Sequence, residues 1–162
     1  MKTIYLIRHA KSSWKNIEIS DFERPLNKRG KEDRKIMGQR LVSRNCNPQI
    51  FLSSSAKRTR ETSIEISKAI GFKSSKIRFL DILYHAVHPV MLSEINKQNN
   101  KSDTLILVGH NPGISNLGYY LTGIPTSFPT CGIAKITFET NNWEEISSET
   151  GFLEFFDYPK SN

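Results

Sequence analysis

Ile4-Tyr5-Leu6-Ile7-Arg8-His9 is an apolar run that ends, with no spacer, in a cation and an imidazole. It reads as a buried strand over residues 3–8 that delivers both polar groups at its carboxyl end, the edge where open α/β sheets bind ligands. A second run, Leu105-Ile106-Leu107-Val108-Gly109-His110, does the same with a second histidine. Two strand-end histidines point to one site.

Outward from these runs, strands and helices alternate. A polar loop holding Trp14 and Phe22 leads to a helix from about Asn27 to Arg44, which Pro48 closes. Ile50-Phe51-Leu52 reads as a short strand. The following helix carries Ala56, Thr59, Ser63, Ile66 and Ile70 at helical spacing, with Gly71 as its C-terminal cap. A strand over 77–80 precedes a loop with Tyr84, His85 and His88, then a helix with Pro89 in its first turn. The strand over 104–108 is apolar throughout, as expected when both faces are covered. Asn111 is placed as the N-cap and Pro112 as the first residue of a helix striped by Ile114, Leu117 and Leu121 and ended by Gly123. Beyond Pro129 the pattern predicts three antiparallel strands, over 132–139, 143–148 and 151–156. The expected fold is α/β: three layers, a mostly parallel central sheet flanked by helices, and an antiparallel C-terminal strand segment.

At 162 residues the chain fits one domain, 1–162, large enough to bury roughly 70% of its unfolded surface. Cys46 and Cys131 show neither a disulfide framework nor metal-ligand spacing, so they read as packing residues in a reducing cytoplasm. The first apolar run is too short for a signal-peptide core or a membrane span. The net charge is +7, with Arg24, Lys28, Arg29, Lys31, Arg34, Lys35, Arg40 and Arg44 clustered largely on one helix. That cluster reads as a solvated face, with steering of an anionic partner as the alternative. Nucleic-acid binding is disfavoured, because no aromatic residues are interleaved to stack on bases. The glycine patterns of dinucleotide and Walker folds are absent from the sequence.

Three strand ends carry polar groups: Arg8 with His9, Ser53-Ser54-Ser55 with Arg58 one turn on, and His110. In a parallel sheet they share an edge. Two guanidiniums there present forked donors to a tetrahedral oxyanion, and helix N-termini after Ser55 and Asn111 add backbone donors. Neutral imidazole is nucleophilic near physiological pH, so His9 is placed to attack phosphorus and form a phosphohistidine intermediate. Arg8, Arg58 and a protonated His110 would stabilise the equatorial oxygens, with no metal and no cofactor required.

Three motifs carry a family resemblance. Leu6-Ile7-Arg8-His9-Ala10-Lys11-Ser12 resembles the Arg-His motif of the histidine phosphatase superfamily, which includes the phosphoglycerate mutases. Ser54 to Thr62 resembles the segment with the family's second phosphate-binding arginine, and Val108-Gly109-His110-Asn111 its second-histidine segment. Arg-His-Ala-Lys-Ser and the stretch from Asp21 to Gly30 are most similar to the SixA-like phosphohistidine phosphatases. The resemblance implies a phosphoglycerate mutase-like fold, His9 as nucleophile, a phosphate pocket completed by Arg8, Arg58 and His110, and Ser12 and Asn111 as further substrate-binding residues.

Larger members of the superfamily supply a carboxylic acid that protonates an alcohol leaving group. Here the corresponding region offers Asp81, Tyr84, His85 and His88 and no recognised glutamate motif, so Asp81 is a candidate proton donor against a capping or ion-pair role. Imidazole leaves more easily than an alkoxide, so the missing acid fits a phosphohistidine substrate. The expected activity is phosphohistidine hydrolysis on a phosphorelay-type protein in signal transduction, such as a histidine-phosphotransfer domain, by a monomeric enzyme. The alternatives are a phosphatase of small metabolites and a phosphate-recognition module without turnover. His85 and His88 read as loop residues, since a His-x-x-His pair without carboxylate or cysteine partners is weak metal-site sequence.

Overall fold

The computed structural model describes residues 1–161. Its centre is a six-stranded sheet formed by β1 (Lys2–Arg8), β2 (Ile50–Ser54), β3 (Arg78–Leu80), β4 (Thr104–Gly109), β5 (Ile133–Phe138) and β6 (Gly151–Asp157), in the order β3-β2-β4-β1-β5-β6. β3, β2, β4 and β1 run parallel, while β5 and β6 add on antiparallel. The sheet is thus mostly parallel with an antiparallel C-terminal part, as the strand pattern predicts.

Helices cover both faces, because successive strand residues point to opposite sides. Ile4, Leu6, Leu105 and Leu107 pack beneath α3 (His88–Asn96) and α4 (Gly113–Thr122), whereas Tyr5, Ile7, Ile106 and Val108 pack beneath α1 (Lys28–Ser43) and α2 (Lys57–Ile70). The central runs of β1 and β4 are apolar at every position because both faces are buried. Truncating Leu107 to alanine in such a core costs roughly 2–5 kcal/mol.

Local chemistry sets the helix ends that flank the site. The Asn27 side chain accepts from the Gly30 amide at 2.8 Å, and Asn27 in turn donates its backbone N–H to the Lys11 carbonyl. Gly30 permits this approach, since a Cβ there would stand 2.2 Å from the Lys11 oxygen. Gly71 and Gly123 end α2 and α4 in the left-handed conformation.

Two sequence expectations need correction. Trp143–Glu145 is a single 3-10 turn and residues 143–148 form no strand. Trp143 is fully buried and its indole N–H donates to the Asn99 and Ser102 carbonyls, so its apolar ring plugs the amino-terminal end of the central strands β1 and β4 instead of alternating along a strand. The N-cap of α4 is Pro112, one residue later than expected, with Asn111 bonded to it through a cis peptide. The basic run also divides: Lys28, Arg29, Lys31 and Lys35 are exposed on α1, while Arg40 and Arg44 pair with Asp157 on β6 and Arg24 is buried before the helix begins. No helix among the described residues is long and apolar enough to cross a membrane.

Candidate active site

Because β1, β2 and β4 are parallel neighbours, their carboxyl ends bring Arg8-His9, Ser53-Ser54-Ser55 and His110 to one edge. A cavity of about 240 Å³ opens there, lined by Arg8, His9, Ser12, Asp21, Arg24, Arg58, His85, His110 and Asn111 among others.

His9 forms the floor, 6% exposed. Its backbone is fixed on both sides: its N–H donates to Gly109 and its carbonyl accepts from Cys131. The next amide, of Ala10, donates to Thr62 Oγ1, and that hydroxyl donates to the Arg58 carbonyl, linking the loop to α2. The ring Nδ1 lies 2.7 Å from the Ala10 carbonyl oxygen. A carbonyl only accepts, so Nδ1 carries the hydrogen and a neutral ring has its lone pair on Nε2. Burial holds the imidazole neutral, its pKa pushed down to about 3 against the opposing Ala10 hydrogen bond, with Arg58, Arg8 and Arg24 adding to the depression.

The His110 ring is centred 5.3 Å from that of His9. Its Nε2 shares a 2.8 Å hydrogen bond with Ser54 Oγ, and its Nδ1 is buried with no partner among the described residues. Burial, reinforced by His9, Arg58 and His85, lowers its pKa to about 2. The imidazolium expected at His110 is therefore not the state of the unliganded pocket. An arriving dianion would supply the opposite charge that favours it.

Arg58 sits in the first turn of α2, buried, with Nη1 donating to the Asp21 carbonyl at 2.7 Å and Nη2 to Asp21 Oδ2 at 3.0 Å. Arg8 donates through Nη1 to the Phe128 carbonyl, while its Nε is buried without a partner among the described residues. Arg24 donates to Ser12 Oγ and stacks over the Trp14 ring, 3.5 Å from its centroid. With Lys11 the pocket gathers four cations around one carboxylate, Asp21. Burial opposes ionisation of Asp21, but hydrogen bonds from Tyr84 and Arg58 outweigh it and hold the pKa at about 2. A pocket with this surplus of forked donors fits a tetrahedral oxyanion.

Of the residues expected from sequence, Arg8, His9, Ser12, Arg58, His110 and Asn111 all line the cavity. Asn111 is already engaged, its amide donating to Phe128 and its oxygen accepting from Ser115, so it shapes the wall. Asp81 is outside the lining. Its carboxylate accepts from the Ser55 hydroxyl where α2 begins, a local anchoring role, and no contact takes it to His9 or His110. The two loop histidines separate: His88 faces Tyr120, whereas His85 stacks on Tyr84 and reaches Arg58 Nη2 at 3.1 Å. Asp21, Arg24 and His85 join the lining beyond the residues that the sequence points to, Asp21 and Arg24 from within the stretch that resembles the SixA-like proteins. Cys46 and Cys131 are buried and unpaired.

Comparison with known proteins gives a consistent picture. The sequence profile of the histidine phosphatase superfamily (branch 1) matches residues 4–83. An uncharacterised chloroplast protein of Arabidopsis thaliana is 32% identical over 158 residues, covering 93% of this chain and 72% of its own. An uncharacterised protein of Mycobacterium leprae is 30% identical over 167 residues, covering 95% of this chain and all of its own, 100%. Among solved structures, the proposed phosphohistidine phosphatase SixA of Agrobacterium tumefaciens has a TM-score of 0.82 at 29% identity, over 98% of both chains. The protein histidine phosphatase SixA complexed with tungstate shares the fold, with a TM-score of 0.83 at 20% identity over 97% of each chain.

Proposed function

This chain belongs to the histidine phosphatase superfamily, in its SixA-like branch, and from that premise we propose that it hydrolyses phosphohistidine on a partner protein, with residues 1–162 acting as one monomeric phosphatase domain. The observation that carries the reading is the Nδ1 hydrogen bond of His9 to the Ala10 carbonyl, which leaves Nε2 as a bare nucleophile at the floor of a cationic pocket.

In the first displacement, His9 Nε2 bonds to phosphorus as the P–N bond of the substrate breaks and its electron pair returns to the substrate imidazole. Arg8, Arg24 and Arg58 hold the phosphoryl oxygens, and His110 is the neighbouring ring that can take up a proton once the dianion is bound. In the second, water attacks phospho-His9, releasing inorganic phosphate and restoring the ring. Two features support phosphohistidine over a phosphomonoester. Asp21, the one carboxylate among the described lining residues, is ionised at neutral pH and cannot protonate an alkoxide. The rim is also accessible, with Trp14 and His85 projecting to solvent, which suits a site presented on a protein surface. A phosphorelay protein is the partner class that carries such a group, and two buried unpaired cysteines support a cytoplasmic location.

The test incubates the protein with a phosphohistidine-bearing protein and with phosphoserine, beside His9→Ala. Preferred loss of phosphate from histidine, abolished in His9→Ala, is expected. Equal rates on both substrates would favour metabolite hydrolysis, and binding without turnover would favour a recognition module.

A further inference from the structure

The two oxygens of the Asp21 carboxylate are in different states. Oδ2 is fully occupied: it accepts from Arg58 Nη2 at 3.0 Å and from the Tyr84 hydroxyl at 2.5 Å, with His85 Nε2 at 3.3 Å. Oδ1 has no hydrogen-bond donor among the described residues, its nearest cation being Arg24 Nη1 at 3.6 Å. The network therefore fixes the carboxylate through one oxygen and leaves the other open.

Its depth matters as much as its bonding. The Asp21 side chain is 40% exposed, against 6% for His9, so the carboxylate stands at the mouth of a pocket whose floor is the imidazole. An in-line displacement expels the leaving group from the face of phosphorus opposite the nucleophile. A leaving group expelled from above His9 departs toward the mouth, where Asp21 stands.

Resting on the phosphohistidine reading above, we propose that Asp21 is a specificity-determining residue whose open Oδ1 accepts a hydrogen bond from the N–H of the substrate imidazole nitrogen that does not carry phosphorus. The proton balance follows from this contact. With that nitrogen protonated, the substrate ring is cationic. When the P–N bond breaks, its electron pair neutralises the ring, which departs as neutral imidazole with the N–H still in place. The new bond is His9 Nε2–P, and no proton donor is consumed. A carboxylate beside the ring favours its charged form and so keeps the necessary proton on at higher pH. A serine or sugar phosphate offers no such N–H, and a metabolite with its own carboxylate would meet repulsion. The groups that face Asp21 are Arg58 from α2, Tyr84 and His85 after β3, His110 after β4, and Arg24 on its own turn; all except Arg24 lie on the occupied side or deeper in the pocket.

The experiment compares wild type with Asp21→Asn on two substrates, a phosphohistidine-bearing protein and p-nitrophenyl phosphate, whose leaving group departs as a weakly basic anion without a proton. The readout is the ratio of kcat/KM values, which cancels any common loss from disturbing Arg58. The ratio is expected to fall roughly ten- to hundredfold in Asp21→Asn, the range of a charge-assisted hydrogen bond, and the alkaline limb on phosphohistidine moves to lower pH while that on p-nitrophenyl phosphate does not. Asp21→Glu is expected to restore part of the ratio. An unchanged ratio, with both substrates slowed equally, would reduce Asp21 to a support for Arg58 and overturn the proposal. Failure of wild type on phosphohistidine, with p-nitrophenyl phosphate still cleaved, would instead overturn the phosphohistidine reading and the role of Asp21 with it.

Discussion

The two ends of β1 each hold a basic residue, and they are treated in opposite ways. At the amino end Lys2 is completely buried, and its ammonium donates to the Asn100 and Ser102 carbonyls and to Asp103 at 2.7, 2.9 and 2.9 Å, beneath the Trp143 ring. Its three protons have three acceptors. At the carboxyl end Arg8 has five N–H groups but one protein acceptor among the described residues, the Phe128 carbonyl; burial and Arg58 both depress its pKa. A cation whose donors are used by the fold stabilises the fold, whereas a cation left short of acceptors is held ready for an anion.

Substitutions at the two ends are expected to have opposite consequences. Arg8→Met should lower kcat/KM by roughly 10²–10³, the scale of removing one preorganised donor, while shifting the melting temperature little. Tungstate should bind where the acceptors are missing. At about 100 times its dissociation constant it would stabilise wild type by roughly 2.7 kcal/mol, and a thermal-shift series should show that gain reduced in Arg8→Met and Arg58→Met. Lys2→Met should cost about 2 kcal/mol by removing charge-assisted hydrogen bonds to Asn100, Ser102 and Asp103, with activity per folded molecule retained. Loss of activity in Lys2→Met without loss of stability would break the contrast.

Acid gives a smaller, graded test. The imidazoles of His9 and His110 titrate near 6.5 when unfolded, but burial pushes them to about 3 and about 2 in the folded protein. As pH falls below 6.5 the unfolded chain takes up protons that the folded chain refuses, so stability is lost progressively toward pH 3. The slope is roughly 1.4 kcal/mol per pH unit for each imidazole. Asp21, depressed from 3.8 to about 2, stabilises the fold fully above that range and adds its own loss only as pH falls from 3.8 toward 2, at the acid end of the histidine window. Urea unfolding across the upper part of the range, repeated with His9 and His110 both replaced by Asn, should show the slope flatten.

What could be read from sequence followed the sheet. Arg8, His9 and His110 were accessible because an apolar run defines a strand and a parallel sheet defines which end binds. Asp21, Arg24 and His85 reach the pocket from loops whose path no periodicity describes. Arg24 was hidden further by continuing into the basic run of α1, though it lies before the helix and is 6% exposed. Asp21 precedes it by three residues, an acid-base pair before Pro25 that was the available signal. Trp143 misled in the opposite way, because an apolar residue near a turn resembles the start of a strand when it is in fact a plug. Asp81 is the candidate proton donor that the interval between Arg58 and His110 offers, but in space its carboxylate serves Ser55.

The central claim is that His9 carries the phosphoryl group. Rapid mixing with a radiolabelled phosphohistidine protein, quenched in base to preserve phosphoramidates, should show label transferred to the enzyme before phosphate is released, with the labelled peptide containing His9. His9→Ala should neither take up label nor release phosphate. Steady release of phosphate with no labelled enzyme at any time, and full activity in His9→Ala, would contradict it.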